Sequence, residues 1–273
     1  MPSQPGLPEK TAAFRALHQP GEPFIIPNPW DAGSARILEG LGFKALATTS
    51  SGFALTKGRR DYGVTRDELL EHCRTLAATV DIPVTADLEN GFGPRPEDAH
   101  ETIRLAAMTG LCGGSIEDST GDDKAPVFDA SLAVDRIAAA VDAASGDFVL
   151  TARAEAFLYG DANLDDVIAR LQAFEAAGAD VLYAPGLRDM DAVQAVCAAV
   201  SKPVNVLLYG ELRTHSVEDF ADAGAARLSV GGALAWSCYG ALSGAADMLE
   251  NGRFDALSAN AEGAKTVSPF LQS

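Results

Sequence analysis

Asp81-Ile82-Pro83-Val84-Thr85-Ala86-Asp87-Leu88-Glu89-Asn90-Gly91-Phe92-Gly93 reads as an apolar strand that opens on a proline and closes on two acids and a glycine turn. Proline as the first residue of a strand removes no ladder bond, so the run from Val84 can lie inside a sheet. Side chains alternate along a strand, which puts Asp87 and Glu89 on one face at its carboxyl end. Gly91-Phe92-Gly93 then turns the chain and leaves the pair at a mouth that ligands can reach. Two like charges that close must share a proton or a cation. Oxygen-only ligands at such a mouth favour Mg²⁺, or Mn²⁺, over zinc.

The same joint recurs outward in both directions. Ser201-Lys202-Pro203-Val204 repeats the proline start. Leu41-Gly42-Phe43, Thr109-Gly110-Leu111, Ala177-Gly178-Ala179 and Ala223-Gly224-Ala225 each set a glycine between an alanine-rich helical stretch and an apolar run, where it can take the left-handed cap. Strands are predicted to begin near Phe24, Ala45, Pro83, Gly114, Phe148, Asp180, Pro203 and Arg227, with helices between them. Eight such units in 273 residues predict the α/β class and a (β/α)8 TIM barrel, as one domain over residues 1–273. Residues 1–10 read as a loose tail, and residues 233–249 and 253–264 as extra C-terminal helices.

A formal net charge of −17 argues against nucleic acid and anionic membrane surfaces as partners, since both require basic patches. Cys73, Cys112, Cys197 and Cys238 are widely spaced, with no CxxC and no histidine at zinc spacing, as in a reduced protein. With no apolar run of about 18 residues and no basic-then-apolar leader, a cytoplasmic location is expected.

Chemistry in such a barrel sits at the carboxyl ends of its strands. The polar residues there are Thr48-Thr49-Ser50-Ser51-Gly52, Asp87 with Glu89, Glu117-Asp118, Arg153 with Glu155, and Ser229 with Gly231-Gly232. Asp61, in the loop of residues 57–63, is within reach of the same mouth. The run Ser50-Ser51-Gly52 can aim backbone N–H groups at an anion. Arg153 can pair with Glu155 or Glu117, face an anion, or do both. A Schiff-base lysine is excluded, because the six lysines fall in loops, termini or strand starts. A Ser-His-Asp triad would rest on His215 alone, and neither Gly-Gly pair fits a phosphate-binding fingerprint.

Taken in order and spacing, Ser51-Gly52-Phe53, Asp61-Tyr62-Gly63, Asp87-Leu88-Glu89-Asn90-Gly91-Phe92-Gly93, Ser115-Ile116-Glu117-Asp118 and Thr151-Ala152-Arg153 resemble the isocitrate lyase/phosphoenolpyruvate mutase superfamily over roughly residues 10 to 260. The resemblance implies a Mg²⁺-binding barrel, usually tetrameric, whose last helices (about 233–264) pack on a neighbouring subunit. It implies Asp87 as the direct metal ligand, with Asp61, Glu89 and Glu117 holding metal-bound waters. Ser51, Gly52 and Phe53 match the loop that clasps the carboxylate of a small anionic substrate, and Arg153 matches the arginine on the anion's other side. The implied activity is a lyase, cleaving a carbon–carbon bond or decarboxylating a 2-oxo or 2-hydroxy carboxylate through an enolate. Phosphonopyruvate mutase or hydrolase chemistry, or a non-catalytic carboxylate-binding paralogue, are the alternatives.

Departures from the pattern bear on the reaction. The family's second strand-three acid is aspartate, where Glu89 stands here. After the strand-four acids the lyases carry Lys-Arg-Cys-Gly-His and the mutase branch Lys-Arg-Asn. This chain has Ser119-Thr120-Gly121-Asp122-Asp123-Lys124-Ala125-Pro126, without a cysteine. Tyr183 takes the place of a strand-six glutamate. Residues 119–130, polar and glycine-containing, are expected to form a mobile lid carrying Lys124.

Overall fold

The computed structural model describes residues 5–144, 147–160, 162–258 and 260–271. Eight strands, β1 (Phe24–Ile26), β2 (Leu46–Ala47), β3 (Val84–Asp87), β4 (Gly113–Glu117), β5 (Val149–Arg153), β6 (Val181–Tyr183), β7 (Val204–Leu207) and β8 (Arg227–Ser229), form one parallel sheet. Its order runs β1-β8-β7-β6-β5-β4-β3-β2. A main-chain bond from Ala47 N–H to Pro27 O (3.1 Å) brings the two edges together, giving a nearly closed (β/α)8 barrel.

The predicted joints work as expected. Pro83 and Pro203 stand just before β3 and β7, and their carbonyls accept from Leu46 and Leu182 of the neighbouring strands at 2.9 Å each. Gly178 has φ +105°, and a Cβ there would lie 3.0 Å from Val141. A side chain would meet both backbone strain and a neighbour. The surrounding helices turn Leu69, Leu76, Ile103, Ile137, Leu171, Phe174, Val193, Val196 and Phe220 inward, all buried.

The first helix differs from expectation. Residues 7–10 are not a tail: helix Leu7–Ala16 is opened by Gly6 N–H donating to Glu9 Oε2 (3.0 Å), with a proline in its first turn. It is anchored by buried Phe14, which packs with Ile26, Ala45, Cys112, Val149 and Val181 across the amino-terminal end of the barrel. The expectation for residues 1–4 falls outside the described residues. The C-terminal region forms shorter pieces than predicted, Ala233–Gly240, Ala245–Asn251 and Asn260–Val267, joined by 3₁₀ turns. No helix among the described residues is long and apolar enough to cross a membrane.

Candidate active site

A cavity of about 360 Å³ opens at the carboxyl ends of the strands. Asp87 ends β3, Glu117 ends β4 and Arg153 ends β5, with Glu117 and Arg153 in register as neighbours. Arg153 spans three acids, reaching Asp87 Oδ1 at 2.8 Å, Glu117 Oε2 at 3.0 Å and Glu155 Oε1 at 2.9 Å. Its guanidinium carbon lies 5.2 Å from the centre of the Tyr183 ring. The ion-pair role expected of Arg153 is thus present. Burial opposes its charge, but Glu117, Glu155 and Asp87 outweigh that and hold the guanidinium well above its ordinary pKa. Burial pushes Glu117 up and Glu155 to about 7, against the pull of Arg153.

Asp61 joins this mouth from its loop and lines the cavity; burial and then the Asp87 charge raise its carboxyl. The next residue, Tyr62, is left-handed (φ +60°), and its hydroxyl donates to Glu117 Oε1. The second oxygen of Asp87 accepts from the Ser50 hydroxyl (2.9 Å) and the Ser50 N–H (3.2 Å).

Glu89 reaches the cluster by another route than strand alternation. β3 ends at Asp87, and Glu89 takes a left-handed conformation with φ +51°, so the two-residue period no longer applies. Its N–H points to Asp87 Oδ1 (3.3 Å), while its carbonyl accepts from the Glu117 N–H (3.1 Å). The carboxyl is buried behind the cavity wall, and Oε1 has no hydrogen-bond partner. Burial, then Asp87 and Asp61, push it up to about 8.

The run expected to clasp a carboxylate, Ser51-Gly52-Phe53, is split between cavity and core. Residues 50–56 form a short helix capped by Thr49, which accepts the Gly52 N–H on its hydroxyl (3.3 Å) and the Phe53 N–H on its carbonyl (3.0 Å). Ser51 lines the cavity, but the Phe53 ring belongs to the core and stacks on His72 with centroids 4.0 Å apart. A Cβ at Gly52 would come within 2.6 Å of Thr49 and 3.0 Å of Trp30, so that position needs glycine for close packing. Residues 119–130, expected to be a mobile lid, are bonded within the segment. Ser119 and Val127 bridge, Thr120 N–H donates to Pro126 O (2.9 Å), and Phe128 N–H donates to Asp118 O (2.8 Å). Asp122 caps the turn through the Lys124 N–H (3.0 Å), and Lys124 is exposed outside the cavity wall.

Several wall residues were not singled out from the sequence. Tyr159 lines the mouth, with its hydroxyl 2.7 Å from Ser119 Oγ. Asn28 accepts the Val230 and Gly231 N–H groups (3.0 and 2.9 Å) and donates to Thr48 O (3.1 Å), tying the loops after β8 and β2 together. Asn205 and Arg227 are polar residues inside strands, a pattern visible in sequence; Tyr159 and Asn28 carried no such signal.

The donor set suits a hard cation. Asp61, Asp87, Glu89 and Glu117 offer only oxygen, burial and the Asp87 charge raise the carboxyls of Asp61 and Glu89, and one oxygen of Glu89 is buried without a partner. Among the described residues no three acids converge closely enough to hold an ion by themselves.

A sequence model of the phosphoenolpyruvate phosphomutase family matches residues 14–250. A solved structure from Burkholderia cenocepacia J2315, assigned only provisionally as a lyase or mutase, is 52% identical, with a TM-score of 0.87 over 93% of this chain and 92% of that one. The 2-methylisocitrate lyase of Shewanella oneidensis is 31% identical, over 78% of this chain and 75% of its own. The oxaloacetate decarboxylase of Bradyrhizobium sp. BTAi1 is 30% identical, over 67% and 66% respectively. With the barrel, the acids at its mouth and these relatives in agreement, the chain belongs to the phosphoenolpyruvate phosphomutase family, within the isocitrate lyase/phosphoenolpyruvate mutase superfamily of enzymes.

Proposed function

We propose that this protein is a Mg²⁺-dependent lyase that breaks a carbon–carbon bond, or decarboxylates, beside a small 2-oxo or 2-hydroxy carboxylate. The observation that carries this reading is the surplus of acid at the mouth: Asp61, Asp87 and Glu117 line the cavity, and Glu89 is buried behind its wall with an oxygen unpartnered. Asp87 would be the direct ligand, with Asp61, Glu89 and Glu117 holding the ion's waters. The metal would supply a Lewis acid for the oxygens of the substrate.

The chain's own groups do the rest. The Ser50–Thr56 helix and the Ser51 side chain face the cavity where a carboxylate would be clasped. Arg153, pinned by three acids, stands beside charge that develops as the bond breaks, and needs no rearrangement to do so. Tyr62 and Tyr159 line the cavity and are the hydroxyls we assign to proton transfer. Among the described residues no cysteine lines it, which favours decarboxylase-like chemistry over methylisocitrate cleavage. Phosphonopyruvate chemistry is the second reading, disfavoured by the outward Lys124. A carboxylate-binding paralogue without turnover is the third.

We place the protein in the cytoplasm as a homo-oligomer, a tetramer by family analogy. Trp236, Leu242, Leu249 and Phe254, on and beside the terminal helices, are more than half exposed and suit a subunit contact. Turnover of oxaloacetate, phosphonopyruvate, methylisocitrate and dimethylmalate with Mg²⁺ tests the activity. Oxalate binding that needs Mg²⁺, without turnover of any of them, would leave only the paralogue.

A further inference from the structure

The metal reading accounts for the acids at the ends of β3 to β5, but another part of the same cavity's lining is built on other terms. Arg227, on β8, lines the cavity and is only 5% exposed. Its Nε donates to Asn205 Oδ1 (2.8 Å), one terminal nitrogen donates to Thr151 Oγ1 (3.2 Å), and the other lies 3.2 Å from His18 Nε2. Every one of these partners is uncharged. His18 is pulled down to about 3 by burial and by Arg227 itself, and its Nδ1 lies 2.9 Å from Phe14 O. Among the described residues Arg227 makes no ion pair, whereas Arg153 makes three.

A buried cation without a counter-ion is costly, and it retains N–H donors beyond the three contacts it makes. Burial pulls Arg227 down only to about 10, so it stays charged near neutral pH. Beside it, Asn205 Nδ2 donates to Ser229 Oγ (3.0 Å), and both residues also face the cavity. The cavity lining therefore joins an acid cluster that calls for a cation with an arginine that lacks an anion.

We infer that Arg227 receives a second anionic group of the substrate, a carboxylate or a phosphonate, on the carbon beyond the 2-oxo acid that faces the metal end. This rests on the metal-dependent reading above and adds the residue that selects for a doubly anionic substrate. Arg153, already shared by three carboxylates, is left to the reacting oxygens.

Thermal-shift titrations of the full chain with Mg²⁺ test it, using three probes. Oxalate has no group beyond its chelating pair, oxaloacetate adds a carboxylate, and 3-phosphonopyruvate adds a phosphonate. Arg227→Gln should weaken one or both extended probes about 30-fold and oxalate less than about 3-fold. The extended probe that suffers most identifies the anionic group. Arg227→Lys, which keeps the charge but not the fork, should fall between. Equal weakening of all three probes, or of none, would overturn the assignment. If Arg227→Gln does not fold, Arg227→Lys decides, and unchanged affinity for both extended probes sinks the idea. A wild type that binds oxaloacetate but not oxalate fails the metal reading and leaves Arg227 to be judged on oxaloacetate alone. A wild type that binds no probe overturns both.

Discussion

Two arginines that line one cavity, Arg153 and Arg227, stand in opposite company. Arg153 is held by three carboxylates, Arg227 by an amide, a hydroxyl and a neutral imidazole. The difference teaches that a charge can be fixed in place in two ways. Ion pairs settle the charge within the protein, whereas neutral dipoles position it and leave its field for whatever enters.

The largest expected contrast is in stability. Arg153→Met leaves three acids, two of them buried, without their shared cation and should cost about 3–5 kcal/mol in urea unfolding. Arg227→Met, whose partners are neutral, should cost less than half as much. Equal losses would erase the distinction between the two sides. Next comes the metal. Asp87→Ala should weaken Mg²⁺ binding by more than about 100-fold in calorimetry while the fold persists, because Arg153 keeps two of its acids. Unchanged Mg²⁺ affinity would remove Asp87 from its assigned role.

A smaller effect separates the sides by pH. Glu89 is pushed up to about 8 in the folded chain, by burial first and by Asp87 and Asp61 next. Its folded form therefore binds a proton more readily than the unfolded chain does. The stability this contributes is complete below the ordinary glutamate range and is lost as pH rises toward about 8. Without metal, unfolding free energy should fall across that window, and Mg²⁺, which takes the ionised form, should cancel most of the slope. A flat metal-free profile would show that Glu89 ionises without strain. Least is expected of Lys124: Lys124→Ala should change kcat/KM by less than about 2-fold, and tryptic cutting beside it should be the same with and without oxalate plus Mg²⁺. Protection by the pair together would restore a closing role to a turn that the structure ties to itself.

The ionic side was readable in the sequence because acids at the ends of apolar strands conflict with their surroundings, and such conflicts stand out in one dimension. The strand starts were readable for a similar reason, since glycine and proline mark joints by local backbone rules. Glu89 was placed in the right cluster by a geometry it does not use, as no local pattern announced a left-handed residue two positions past Asp87. Phe53 read as part of a clasp, yet its ring stacks on His72, a contact set by packing between helices. The neutral side was legible only in part: Asn205 and Arg227 are polar residues inside strands, but a histidine after the first helix gains meaning only when closure brings it to Arg227.

That closure has a consequence for the order in which the chain can assemble during synthesis. β1 pairs with β8, Phe24 opposite Arg227, while its neighbour in sequence, β2, meets it through the bond between Ala47 and Pro27. The first strand to leave the ribosome must therefore wait for the last before its ladder can form. Until then the ring is an open sheet with exposed edges, and His18 and Arg227 are far apart. The acid cluster, built from three consecutive strands, can form early; the setting of Arg227 exists only once β8 has joined the sheet.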